Sequence, residues 1–91
     1  MEIEKRELEI HIVKAKQGNQ NSFRLLLNSF WLDVYRYQLK RTKSENEAED
    51  IAIQTFSKAF DKIATFDEKY KFKTWLITIL ICYVRKRIQS L

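Results

Sequence analysis

SENEAEDIAIQTFSKAFDKIATFDEKYKFKTWL, residues 44–76, decides how this chain folds. Ser44 followed three residues later by Glu47 is a capping box, in which hydroxyl and carboxylate satisfy amides exposed at a helix N-terminus. Glu45, Glu49 and Asp50 place negative charge in the same first turns, where the helix dipole is positive. Apolar or small residues then recur at Ala48, Ile51, Ala52, Thr55, Phe56, Ala59, Phe60 and Ile63. That spacing is the i, i+3, i+4, i+7 pattern of a one-faced helix, expected over residues 45–64 with Phe56 and Phe60 in its buried stripe. Phe66-Asp67-Glu68-Lys69-Tyr70 breaks the period, and a further helix opens near Lys71.

Working outward, the last helix is expected over about 71–89. Phe72, Leu76, Ile79 and Tyr83 form its inner stripe, with Trp75 and Cys82 at the flanks. Ile77, Ile81 and Val84 lie on its other side, a second apolar face with no obvious partner in the chain. On the N-terminal side, a first helix over about 3–17 alternates charges with Leu8, Ile12 and Ala15. Gly18 is the natural left-handed stop, and Asn19 to Ser22 supply turn and cap chemistry. The second helix is expected over about 22–41. Phe23, Leu26, Leu27, Phe30, Val34 and Tyr37 make one stripe; Leu25, Leu32 and Leu39 make an opposite one, which predicts cover on two sides. The expected fold is all-α, a compact bundle of four helices (about 3–17, 22–41, 45–64 and 71–89).

Composition agrees. A single glycine and no proline in 91 residues leave little of the vocabulary of hairpins. A chain of this size makes one small domain that buries about 60–65% of its unfolded surface. The net charge is +5, yet residues 69–91 hold six basic and no acidic side chains, so the preceding 68 sum to −1. A basic C-terminal quarter on a balanced domain points to a polyanion at one end, most simply nucleic acid. One cysteine, Cys82, excludes an internal disulfide and fits a reducing compartment. The charged N-terminus lacks the apolar run of a signal peptide. The most apolar stretch, residues 75–84, is too short to cross a bilayer, which needs about 20 residues. Catalysis finds no support: His11 is the only histidine, and there is neither a phosphate loop nor metal-ligand spacing.

The order A-E-D-I-A-I-Q-T-F-S-K-A-F-D-K-I, then F-D, then F-K-T-W-L, resembles region 2 of a bacterial RNA polymerase sigma factor, with the extracytoplasmic-function (ECF) group as the closest match. Upstream, Ile12-Val13-Lys14-Ala15-Lys16-Gln17-Gly18-Asn19, with Phe23 and Leu26 behind it, is similar to the opening of that domain. The resemblance covers roughly residues 8–87 and implies a sigma region 2-like bundle. It also implies a transcription initiation factor domain in which the polymerase performs the chemistry, with no cofactor, in the cytoplasm and off the membrane. Such sigma factors carry a second helical promoter-reading domain; residues 1–91 are expected to be region 2 alone, that second domain being absent from this chain.

Two surfaces could carry such a function. One is the outer face of the third helix, Glu49, Asp50, Ile53, Gln54, Ser57 and Asp61, where Ile53 is an apolar anomaly in a polar stripe. In the family this face docks on the clamp helices of the polymerase largest subunit. The usual Gln-Glu before Thr-Phe is here Ile53-Gln54, leaving an apolar anchor ringed by polar groups. The other is the loop and the start of the last helix: Asp67, Glu68, Lys69, Tyr70, Lys71, Lys73, Thr74 and Trp75. Aromatics interleaved with lysines suit single-stranded DNA, because bases stack on rings while cations follow the phosphates. In the family this segment holds non-template bases of the minus-ten element and helps separate the strands. Further along, members carry Asn, Asp and Arg where this chain has Cys82, Lys86 and Gln89, so base selectivity there is not expected. Arg85 and Arg87, flanking Lys86, retain phosphate affinity. The alternative is a degenerate sigma-like interaction module, held by an anti-sigma partner through Ile77, Ile81 and Val84.

Overall fold

A computed structural model describes residues 4–89. Four helices follow in order: α1 (Lys5–Lys16), α2 (Gln20–Thr42), α3 (Glu45–Lys62) and α4 (Phe72–Gln89), with a 3₁₀ turn, Ile63–Thr65, closing α3. No strand occurs among the described residues, and the bundle spans 39 × 26 × 22 Å. The expected start of the first helix at Ile3 lies outside the described residues; Glu4 is its N-cap.

Local chemistry sets each boundary. Gly18 stands at φ 96°, in the left-handed region open to glycine, and turns the chain out of α1. The side chain of Asn19 then accepts from the Ser22 amide at 2.9 Å, so α2 starts at Gln20, two residues before the expected position. At the other end of α2, Lys43 takes the left-handed conformation at φ 57° and donates its amide to the Leu39 carbonyl at 2.8 Å. Ser44 caps α3 as expected, accepting from the Glu47 amide at 3.3 Å. The reciprocal half of the capping box is replaced: the Glu47 carboxylate accepts from the Thr42 hydroxyl at 2.6 Å, joining the end of α2 to the start of α3. The last turn expected in α3 tightens into the 3₁₀ turn, so the α-helix stops at Lys62.

The core is built around α3, which packs on both α2 and α4. Ala48, Ala52 and Ala59 are fully buried, and their small side chains admit the neighbouring helices closely. Ile51 and Phe56 fill the remaining space, and buried Thr55 satisfies its hydroxyl on the Ile51 carbonyl at 2.8 Å. Leu26 and Val34 meet them from α2, Leu76 and Leu80 from α4, and Ile12 and Ala15 close the α1 side.

Three expectations about faces are corrected. Phe60 is 38% exposed. It lies at the margin of the α3 stripe, with its ring against Phe23 in an edge-to-face contact at 4.9 Å and 69°. The second stripe of α2 is covered only at Leu39, which is half-buried; Leu25 and Leu32 are exposed. In α4 Phe72, Leu76 and Ile79 are buried as expected and Leu80 joins them, while Cys82 is exposed instead of flanking the core.

The buried phenylalanine of α3 is therefore Phe56, 2% exposed and stacked on Trp31 at 6.0 Å. Phe56→Ala should destabilise the domain by about 3–5 kcal/mol, and Phe60→Ala by roughly 1 kcal/mol. Urea unfolding of both variants checks the order; an equal loss would return Phe60 to the core.

Candidate nucleic-acid interface

Phe66 is the pivot between α3 and the loop. It is 2% exposed, its amide donates to the Ile63 carbonyl at 3.0 Å, and its ring meets Phe72 edge-on at 5.3 Å and Trp75 at 5.0 Å. Phe72 in turn packs on Trp75 at 5.5 Å and on Phe30 of α2 at 5.3 Å. The four rings form a continuous aromatic base beneath residues 67–71. Trp75 belongs to that base and is half-buried, so its indole supports the loop as well as offering an edge to solvent.

Above the base the chain makes a tight turn. The Asp67 carboxylate accepts from the Lys69 amide at 3.0 Å, and the Asp67 carbonyl from the Tyr70 amide at 3.0 Å. Asp67 thus shapes the loop through an Asx turn, a role its sequence position did not announce. Two long-range ties come from α1: the Lys16 ammonium donates to the Phe66 carbonyl at 2.8 Å and stands 4.0 Å from the Glu68 carboxylate. Lys69, Tyr70, Lys71, Lys73 and Thr74 all face solvent, with Tyr70 68% exposed. Lys73 also stands 3.8 Å from Asp33 of α2. Beside the loop lies an open cleft of about 680 Å³, walled by Leu8, Glu9 and Ile12 of α1 and by Tyr70, Lys71 and Phe72.

The outer face of α3 presents Glu49, Asp50, Ile53, Ser57 and Asp61 to solvent, with Gln54 half-buried. Ile53 is 49% exposed. Phe60, seven residues on, falls about 20° from it around the helix at 100° per residue. Two exposed apolar side chains therefore line one side of α3. The sequence reading assigned Phe60 to the core and so missed this pair. Arg87 of α4 stands 3.8 Å from Asp50, which places the C-terminal basic cluster beside the start of α3. Arg85 is exposed and lines a second groove of about 370 Å³ between the C-terminal halves of α2 and α4. Among the described residues no group of three or more His, Cys, Asp or Glu is placed to hold a metal, and no helix is long and apolar enough to cross a membrane.

Comparison with known proteins adds a second line of observation. The family described as Sigma-70 region 2 matches residues 26–90. The chain is 34% identical over 79 residues to the ECF RNA polymerase sigma factor SigW of Bacillus subtilis, which covers 87% of this chain and 42% of that protein. It is 41% identical over 58 residues to SigM of the same organism, covering 59% of this chain and 35% of that one. It is 33% identical over 69 residues to BldN of Streptomyces coelicolor, covering 75% of this chain and 26% of that one. The chain thus spans about two fifths or less of the length of these relatives. No solved structure matches it significantly.

The aromatic base predicts how Trp75 behaves. Trp75→Ala should lower stability by about 2 kcal/mol, less than for a fully buried ring because part of the indole is already in water. It should also speed proteolytic cutting within residues 67–71. Denaturant unfolding with timed protease digestion checks both; unchanged values would leave Trp75 as an exposed platform only.

Proposed function

The chain belongs to the sigma-70 region 2 family, and on that premise we propose that it docks on the RNA polymerase core and holds the separated non-template strand of the minus-ten promoter element. The observation that carries the DNA half is the loop itself. Tyr70 and three solvent-facing lysines, Lys69, Lys71 and Lys73, stand on a turn fixed from below by Phe66 and from the side by α1. An exposed ring among cations suits unstacked bases on a phosphate backbone, and the adjoining cleft gives a displaced base somewhere to go. Thr74 and the exposed side of Trp75 extend this surface along the start of α4; Arg85 and Arg87 add phosphate contacts at its far end. Asp67 and Glu68 contribute by shaping the loop. The polymerase half rests on α3. Ile53 and Phe60 supply an apolar centre, and Glu49, Asp50, Gln54, Ser57 and Asp61 a polar rim, for the clamp helices of the largest subunit. The polymerase supplies the catalysis, and the site of action is the cytoplasm.

A specific observation favours a second reading, in which an anti-sigma partner holds the domain. Ile81 and Ile88 are exposed beside half-buried Val84 on the groove between α2 and α4. Its floor includes Gln38, whose buried Oε1 has no hydrogen-bond partner. A partner seated there would cover Arg85 but leave the loop and the α3 face open, so Ile81→Glu should abolish binding of such a partner while single-strand and clamp-helix binding persist.

Two measurements test the main proposal. Duplex bases are stacked, and unstacking costs a few kcal/mol, so the domain should bind single-stranded non-template DNA in preference to the same duplex. Binding should weaken steeply with salt, and neutralising Lys71 and Lys73 together should lower the slope of log affinity against log salt by about 1–2. Equal affinity for single strand and duplex would reduce the loop to a generic basic surface. On the other face, Ile53→Glu should weaken binding to a clamp-helix fragment by about 2 kcal/mol while the melting temperature holds. Unaltered binding by the folded variant removes this side of α3 from the interface.

A further inference from the structure

The family match begins at residue 26, so α1 lies outside it. Yet α1 packs directly on the 3₁₀ turn that leads into the loop. Its last residue, Lys16, reaches fifty positions along the chain to donate to the Phe66 carbonyl at 2.8 Å, with the Glu68 carboxylate 4.0 Å away on the same ammonium. The Phe66 carbonyl leaves a residue that is almost fully buried, just past the last helical turn, and Lys16 is the donor that satisfies it. The remaining loop bonds, Lys69 to Asp67 and Tyr70 to Asp67, are local and fix the shape of the turn without fixing its direction. The tie to α1 supplies that direction, because it connects the loop to an element packed independently through Ile12 and Ala15. Lys16 itself is only about a quarter exposed, and its charge is already engaged by a carbonyl and a carboxylate. Its geometry is that of a strut, unlike the outward lysines at 69, 71 and 73.

We propose that Lys16 is a positioning residue for base reading: it holds residues 66–70 in the orientation that presents Tyr70 and the Asp67 turn to single-stranded DNA, without contacting the DNA itself. The inference rests on the DNA-reading role proposed above for the loop. It assigns α1 a part in specificity beyond its packing in the bundle.

The test uses the 91-residue chain with Lys16→Met, which keeps the aliphatic stem, and Lys16→Arg, which keeps the donor. The first readout is amide hydrogen exchange, independent of any DNA. Loss of a hydrogen bond to a charged group should speed exchange at the hydrogen-bonded amides of Lys69 and Tyr70 by roughly tenfold or more, with core amides of α2 and α3 unchanged. The second is binding to two single-stranded oligonucleotides, one of preferred and one of scrambled sequence, across a salt series. Lys16→Met should lose several-fold of the preference while its affinity for the scrambled strand and its salt slope stay at the wild-type values. Lys16→Arg should restore both exchange and preference. Unchanged loop exchange in Lys16→Met overturns the proposal. So does a uniform loss of affinity with the slope reduced by about one, which would make Lys16 a phosphate contact. Faster exchange with the preference intact shows anchoring without a part in reading and also overturns it. Should the wild-type chain itself show no sequence preference, the DNA-reading role falls and this inference with it, and the exchange data alone tell that failure from the others.

Discussion

Phe66 is where two demands on one residue meet. Its ring is held by Phe72 and Trp75, so the chain leaving α3 must enter the core and cannot run on into solvent. Its backbone, however, sits past the last helical turn, where carbonyls lack intrahelical donors, and a buried carbonyl left unpaired costs about 1–3 kcal/mol. Lys16 resolves the conflict with one charged donor from a distant helix. Everything exposed between residues 67 and 71 inherits its position from this pairing of apolar anchor and polar tie. An exposed loop is only as well defined as its support, and here four packed aromatic rings lie beneath it.

The same economy governs α3. Its inward side uses alanines at 48, 52 and 59, which cost little rotamer entropy and let two helices approach at once. The larger residues, Ile51 and Phe56, fill the space between the approaching helices. A helix gripped on two sides has little freedom to tilt, so the outward side holds Ile53 and Phe60 in fixed relation to the polar residues around them. The core and the proposed docking face thus fall on opposite sides of one element. Substitutions at Ile53 can be read with little interference from the core, whereas Phe60 still touches Phe23 and couples the two sides.

Much of this was legible in the residues. Ser44 announced the start of α3 and the alanine-phenylalanine period announced its inner side, because both signals are local and repeated. Ile53 stood out as an apolar residue where the pattern demanded a polar one. What escaped was set by tertiary geometry. Phe60 continues the α3 period by one turn, but it meets Phe23 of the neighbouring helix only in a T-shaped contact at the margin and stays partly exposed, a fact of helix crossing and not of spacing. Leu25 and Leu32 formed a regular stripe, yet regularity cannot say whether a partner exists to cover it. Gln38 reads as polar and solvated although it continues the inward ladder of Leu26, Phe30 and Val34 at four-residue steps. Lys16 sits in a charge-rich helix end, where a lysine ordinarily completes the helix dipole. Only the fold brings it to Phe66.

The placement of Arg87 joins the two proposed surfaces. It stands 3.8 Å from Asp50, so the basic end of α4 and the acidic start of α3 are one continuous patch. Both side chains are about half exposed, and a pair of that kind contributes roughly 0–1 kcal/mol. A phosphate could therefore draw Arg87 away at little cost, and doing so would uncover the Asp50 carboxylate on the docking face. The two proposed surfaces thus share a single weak ion pair, in contrast to the firm tie at Lys16 that stabilises the loop. The contrast between the two ties follows from how deeply each is buried.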